Sequence, residues 1–125
     1  MTAAPDDRLF VPLATDPYRW FESGVKQWEV RRMTGSFSLE HVRLGRLVEL
    51  RRGYSTPDSI WGHVAGIVVA ESLADLYRKV PYLQVTPLAA SLDEALAVAS
   101  KILGIDPDQA TALIAFRVEC DRSST

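Results

Sequence analysis

A lysine, a glutamate and an arginine stand close together at Lys26, Glu29 and Arg31, just after Gly24. Cationic side chains of this kind bind phosphate or carboxylate, and a carboxylate beside them accepts or donates protons. Glu29 and Arg31 are two apart, so on a strand both point to one face and can pair or grip a polar ligand together. Lys26 has the opposite parity and joins them only from a turn after Gly24 or from a bulge. In a cleft beside a carboxylate, a lysine binds phosphate or, if desolvated, acts as a base or nucleophile. The structural alternative is a Glu29–Arg31 pair beside a solvated lysine. An exposed Lys26 contributes little to folding, so Lys26→Ala is expected to leave stability within about 0.5 kcal/mol.

A second charge feature follows. Residues 26–52 hold Lys26, Arg31, Arg32, Arg43, Arg46, Arg51 and Arg52 against Glu29, Glu40 and Glu49, whereas the whole chain has a net charge of -2. Such a basic block is either the footprint of a phosphate-bearing ligand or a set of solvated strand faces. Tyr54 and Trp61 flank a polar loop and are candidates for stacking on an exposed base, with packing at a hairpin base as the alternative. Trp20 and Trp28 read as core aromatics. His41 and His63 fall in no serine–histidine–acid or cysteine–histidine spacing and read as structural or solvent-facing.

The elements that must position these residues are legible from periodicity. Residues 8–14 alternate as a short strand. Asp16 can cap a short helix with Pro17 at its first position, and Gly24 supplies the left-handed stop. Residues 26–32 alternate as a half-buried strand, expected to be central, with a turn around Gly35 next. A strand at 47–51, a polar loop at 53–60 and a valine-rich strand at 63–70 with a bulge at Gly66 come after. One helix over Leu73, Leu76 and Tyr77 ends before Pro81. A second starts at a Ser91–Glu94 capping box and ends at Gly104. Its stripe of Leu92, Ala95, Leu96, Ala99, Ile102 and Leu103 is expected to pack on the motif strand from outside. The alternation of Ile114, Phe116, Val118 and Cys120 gives a closing strand. Short strands with helices to one side predict an α+β fold or a small barrel.

The run Gly24-Val25-Lys26-Gln27-Trp28-Glu29-Val30-Arg31 fits G-x-K-x-x-E-x-R. It resembles the signature of the ASCH family, whose fold is similar to the PUA barrel of RNA-modifying systems. The resemblance covers roughly residues 8–120 and includes the strand and helix before the motif, the Gly45 turn and strand after it, and the closing strand. It implies a small PUA-like β-barrel with a short helix before the motif strand and two inserted helices. It also implies RNA, single-stranded nucleic acid or a modified nucleotide as partner. Some relatives are amidohydrolases acting on acetylated cytidine through the motif lysine, matched here by Lys26, a threonine where this chain has Glu29, and an acid between the inserted helices. This chain offers no acid from Tyr82 to Leu88. Other relatives resemble metal-assisted ribonucleases, for which Glu29 and Glu71 are the carboxylates at hand; beyond a divalent metal in that case, no cofactor is implied.

At 125 residues, with 47% apolar and 24% charged residues, the chain is long enough for one core and unlike disordered or collagen-like sequences. Cys120 is the single cysteine, which rules out an internal disulfide and a clustered-thiolate zinc site. No cationic start leads into an apolar run and no segment reaches membrane-spanning length, so the expected location is cytoplasmic, without a membrane partner. The expected organisation is a flexible tail at 1–7, one domain at 8–120 and a flexible tail at 121–125. In this domain Gly24, Lys26, Glu29 and Arg31 bind the ligand, with Lys26 and Glu29 catalytic if it is an enzyme. Arg32, Arg43, Arg46, Arg51, Arg52, Tyr54 and Trp61 are the expected nucleic-acid contacts. A nuclease or nucleoside-directed hydrolase and a non-catalytic protein interaction module are the competing functions.

Overall fold

In the computed structural model, which describes residues 7–121, Leu9, Val11 and Leu13 alternate inward along β1 (Leu9–Leu13) and are buried. The tails expected at 1–7 and 121–125 lie outside the described residues, apart from Asp7 and Asp121. Helix α1 (Thr15–Ser23) starts earlier than its sequence suggests. The Tyr18 N–H already bonds the Ala14 carbonyl, so Ala14 holds the cap position and Asp16 falls in the first turn, where its charge still favours the positive helix end. Gly24 ends the helix at φ 86°, a left-handed geometry that a side chain would strain.

The motif strand β2 (Trp28–Arg32) is shorter than residues 26–32 because the Lys26 and Gln27 N–H groups go instead to the carbonyls of Trp20 and Gln84. Next come β3 (Leu47–Arg52), β4 (Ser59–Ala70), α2 (Leu73–Lys79), α3 (Leu92–Leu103) and β5 (Leu113–Cys120). The polar loop is narrower than expected, since Ser59 already belongs to β4 and pairs with Arg51. The strand order is β1-β3-β4-β5-β2, with β1 parallel to β3 and the other pairs antiparallel. Thus β2 is an edge strand and not the centre of the sheet; the centre is β4, flanked by β3 and β5. A register shift between Val64 and Gly66, at the expected bulge, lets the long β4 bend between β3 and β5. The result is a mixed half-barrel with helices, an α+β fold.

Inside the curve lie Val11, Phe21, Val48, Leu50, Ile114 and Phe116, and outside it Leu73, Leu76, Val80, Leu113 and Ala115 are buried against the α2 and α3 layer. Strand β5 is covered on both faces, which accounts for its unbroken apolar run from Leu113 to Phe116. The α3 stripe is narrower than its sequence suggests. Ala95 and Ala99 are buried, but Leu92 and Ile102 are exposed, Ile102 to 76%. The small alanines make the close contact of α3 with the layer beneath, and the flank carrying Val98 and Ile102 is left facing a cleft.

One close approach brings β4 against β5. A Cβ at Gly62 would run into the Glu119 carbonyl oxygen, a backbone atom of the paired strand. Gly62→Ala is therefore expected to destabilise the domain by about 1–3 kcal/mol, read from the midpoint of a urea unfolding curve. An unchanged midpoint would show that the two strands part easily there.

Candidate functional site

The left-handed stop at Gly24 turns the chain so that Lys26 enters the interior before β2 begins, which is how a residue of the wrong parity reaches the face shared by Glu29 and Arg31. Lys26 is only 5% exposed. Its Nζ donates to the Val85 carbonyl at 2.6 Å, lies 3.4 Å from Glu29 Oε1 and sits 5.5 Å from the centre of the Phe21 ring. The other Glu29 oxygen, Oε2, accepts from Arg31 Nε at 2.7 Å. Arg31 then reaches across the open side of the half-barrel, where Nη2 donates to the Pro12 carbonyl at 2.8 Å, and its guanidinium lies over Phe37. One carboxylate thus stands between two cations, and a line of polar contacts runs from Val85 to β1. Burial pulls the Lys26 pKa below its ordinary value; Glu29 opposes that shift and the Arg31 charge adds to it. In place of the solvated lysine of the structural alternative stands a buried, ion-paired one, so the small stability effect expected for Lys26→Ala no longer applies.

These three side chains form the floor of a cleft of about 740 Å³. Its walls come from Pro12, Trp20 and Val85 and from the Val98 and Ile102 flank of α3, with Ala14, Thr15 and Asp16 at the exposed rim. Tyr77 and Thr86 also line it. Sequence reasoning assigned Tyr77 to an apolar helix stripe, yet its hydroxyl is buried with no hydrogen-bond partner of normal geometry. Burial raises the Tyr77 pKa, Thr86 acts against that shift and the Glu29 charge adds to it, so the phenol stays protonated at neutral pH. Where the sequence shows no acid, between the inserted helices, the chain contributes the Val85 carbonyl and the Thr86 side chain.

The other expected contacts do not gather at this cleft. Arg32 points the other way along β2 and caps the end of α3 through the Leu103 carbonyl. Arg46 donates to the carbonyls of Asp7, Arg8 and His41. Arg51 pairs with buried Glu49 at 2.6 Å and Arg52 with Asp58 at 2.6 Å. Arg43 and Tyr54 are exposed, Tyr54 near the Phe10 ring, and Trp61 lines a separate hollow with Ile60 and Cys120. His41 is exposed, and His63 lies 3.5 Å from Glu119 and 3.7 Å from Asp121. Among the described residues no three His, Cys, Asp or Glu side chains converge as metal ligands do. With both Glu29 oxygens facing cations and Glu71 on the surface, this donor set does not fit the divalent metal that the ribonuclease likeness implies. No helix of the described residues is long and apolar enough to cross a membrane.

No family model and no curated protein matches the sequence. Solved structures do. The crystal structure of hypothetical protein PH0355 superposes with a TM-score of 0.73 at 18% identity, covering 90% of this chain and 97% of its own. The solution structure of PF0455 from Pyrococcus furiosus gives 0.68 at 16% identity, covering 93% and 99%. The crystal structure of ASCH from Zymomonas mobilis gives 0.57 at 15% identity, over 88% of this chain and 65% of that one. The chain has the ASCH fold. At these identities the likeness concerns the backbone. Within the ASCH fold, the half-barrel, the short helix before the motif strand and the two helices between β4 and β5 agree with the architecture that the G-x-K-x-x-E-x-R resemblance implied.

Proposed function

We propose that this ASCH-fold domain binds a modified nucleotide, or one unstacked nucleotide of an RNA strand, in the cleft over Lys26, Glu29 and Arg31. The observation that carries this reading is the pairing of a buried polar floor with an apolar and aromatic wall in a space of about 740 Å³. Sites for small ligands have this size and mixture, and proteins that read single-stranded RNA hold splayed bases against aromatic or apolar side chains. Arg32, Arg46, Arg51 and Arg52 of the basic block are engaged with carboxylates and carbonyls, which favours a single buried nucleotide over a long phosphate track. The test is to titrate nucleosides and 5′-mononucleotides, natural and base-modified, into the labelled protein and follow its amide resonances. Saturable shifts centred on Lys26, Tyr77 and Ile102 are expected. Shifts that never saturate, or that gather around Arg43 and Tyr54, would count against the cleft.

A hydrolytic reading rests on one further observation, the downward pull on the Lys26 pKa by burial. An amine that sheds its proton more readily is present in larger part as the free amine that can take a proton or attack as a nucleophile. Release of acetate from acetylated cytidine, lost in Lys26→Met, would support it.

A further inference from the structure

Tyr77 is only 8% exposed, and its hydroxyl, wholly buried, has the Thr86 side chain beside it but completes no hydrogen bond of normal geometry. Buried hydroxyls almost always find a partner, since leaving one unmade carries the full desolvation cost of the group. Nothing in the packing of α2 requires an oxygen there: Leu73 and Leu76 on the same face are buried without one, and a phenylalanine ring would fill the same place. The unmet group lines the cleft beside Thr86, the residue after the one whose carbonyl holds Lys26 Nζ. The Lys26 ammonium has three N–H groups, of which Val85 and Glu29 engage two. Tyr77 and Lys26 therefore line the same cleft, and each keeps a proton to donate, the Tyr77 hydroxyl and the remaining Lys26 N–H.

We infer that Tyr77 is a specificity-determining residue whose hydroxyl donates a hydrogen bond to a carbonyl-type oxygen of the ligand, so that the cleft selects keto bases over amino bases. This rests on the nucleotide reading of the cleft and adds what that reading leaves open, the chemistry of the base edge that enters first. A keto oxygen satisfies the hydroxyl and shares the Lys26 charge. An amino group in the same place presents hydrogens to the Lys26 ammonium, which cannot accept them, and the phenol meets it only by turning to accept, which leaves its own hydrogen unmet. Sites built around a buried hydrogen-bonding group reject analogues that cannot meet it far more strongly than apolar pockets reject a change of size.

The experiment compares UMP with CMP and GMP with AMP by calorimetric titration of the full chain and of Tyr77→Phe, alongside the melting temperature of each protein without ligand. The parent is expected to favour the keto member of at least one pair by about tenfold or more, and Tyr77→Phe to lose that preference while melting at the same temperature or higher. A preference that survives in Tyr77→Phe overturns the inference and leaves the nucleotide reading standing. So does binding without any keto preference in the parent. A Tyr77→Phe protein that melts lower also overturns it, because the hydroxyl would then have a structural partner. If none of the four nucleotides binds the parent, this inference falls, while the nucleotide reading still stands or falls with the base-modified nucleotides.

Discussion

Replacing Glu29 by alanine is expected to destabilise the domain by about 3–5 kcal/mol and to abolish ligand binding, because it leaves Lys26 and Arg31 close together with no counter-charge in a setting that hides most of both from water. Glu29→Gln keeps the shape and some hydrogen bonds but not the charge, and should fall between the parent and Glu29→Ala. Lys26→Met is expected to behave differently. It exchanges a buried ammonium for an apolar side chain of similar length while Glu29 keeps its bond to Arg31, so stability should change little or rise even as binding is lost. Urea unfolding of the three variants checks this ordering. A Glu29→Ala protein within about 1 kcal/mol of the parent would mean that water reaches the two cations freely.

The second large effect lies away from the cleft and appears in acid. Glu49 is 2% exposed, and burial alone would push its carboxyl up. Hydrogen bonds from Ser59, Arg8 and Arg51, with the Arg51 charge, overcome that push and hold it at about 2, against an ordinary value of 4.5. Since the folded value is the lower one, the unfolded chain binds more protons between these limits. The stabilisation is complete above about pH 4.5 and is lost as pH falls through about 2, a swing on the order of 3 kcal/mol. Unfolding free energies measured across pH 2 to 6 should show this slope, and Glu49→Gln should be less stable at pH 6 with the slope flattened. A parent protein whose stability is level over that range would remove Glu49 from the network. Arg51→Glu, which sets a second carboxylate against Glu49, is for the same reason a fold-breaking change and a poor probe of phosphate contact.

Those two carboxylates show what the sequence discloses. Glu29–Arg31 and Glu49–Arg51 have the same two-residue spacing, and both form close side-chain pairs. The first was legible as a unit because Gly24 and Lys26 surround it. The second was divided, its arginine counted in a basic block and its glutamate as a mere offset, because a charge sum is blind to which groups touch. Periodicity likewise identified the strands and the helix stop at Gly24 but not the edge position of β2, since edge and central strands with two partly covered faces alternate alike. Tyr77 is the instructive omission. Its spacing correctly implied burial, and burial is all that spacing reports; whether a buried hydroxyl finds a partner depends on residues from other elements, here Thr86 and β2, that only the folded chain brings near it.

Strands β1 and β2 are the two ends of the half-barrel, and no ladder joins them; among the described residues, Arg31 clasping the Pro12 carbonyl spans that gap. The molecule is consequently compliant along one line and stiff elsewhere. Widening the mouth between β1 and β2 strains a side-chain clasp and the packing of α1, while every rung of the five-stranded ladder stays in place. On the proposed reading, a guest that drew the Arg31 guanidinium to itself would release that clasp as it entered.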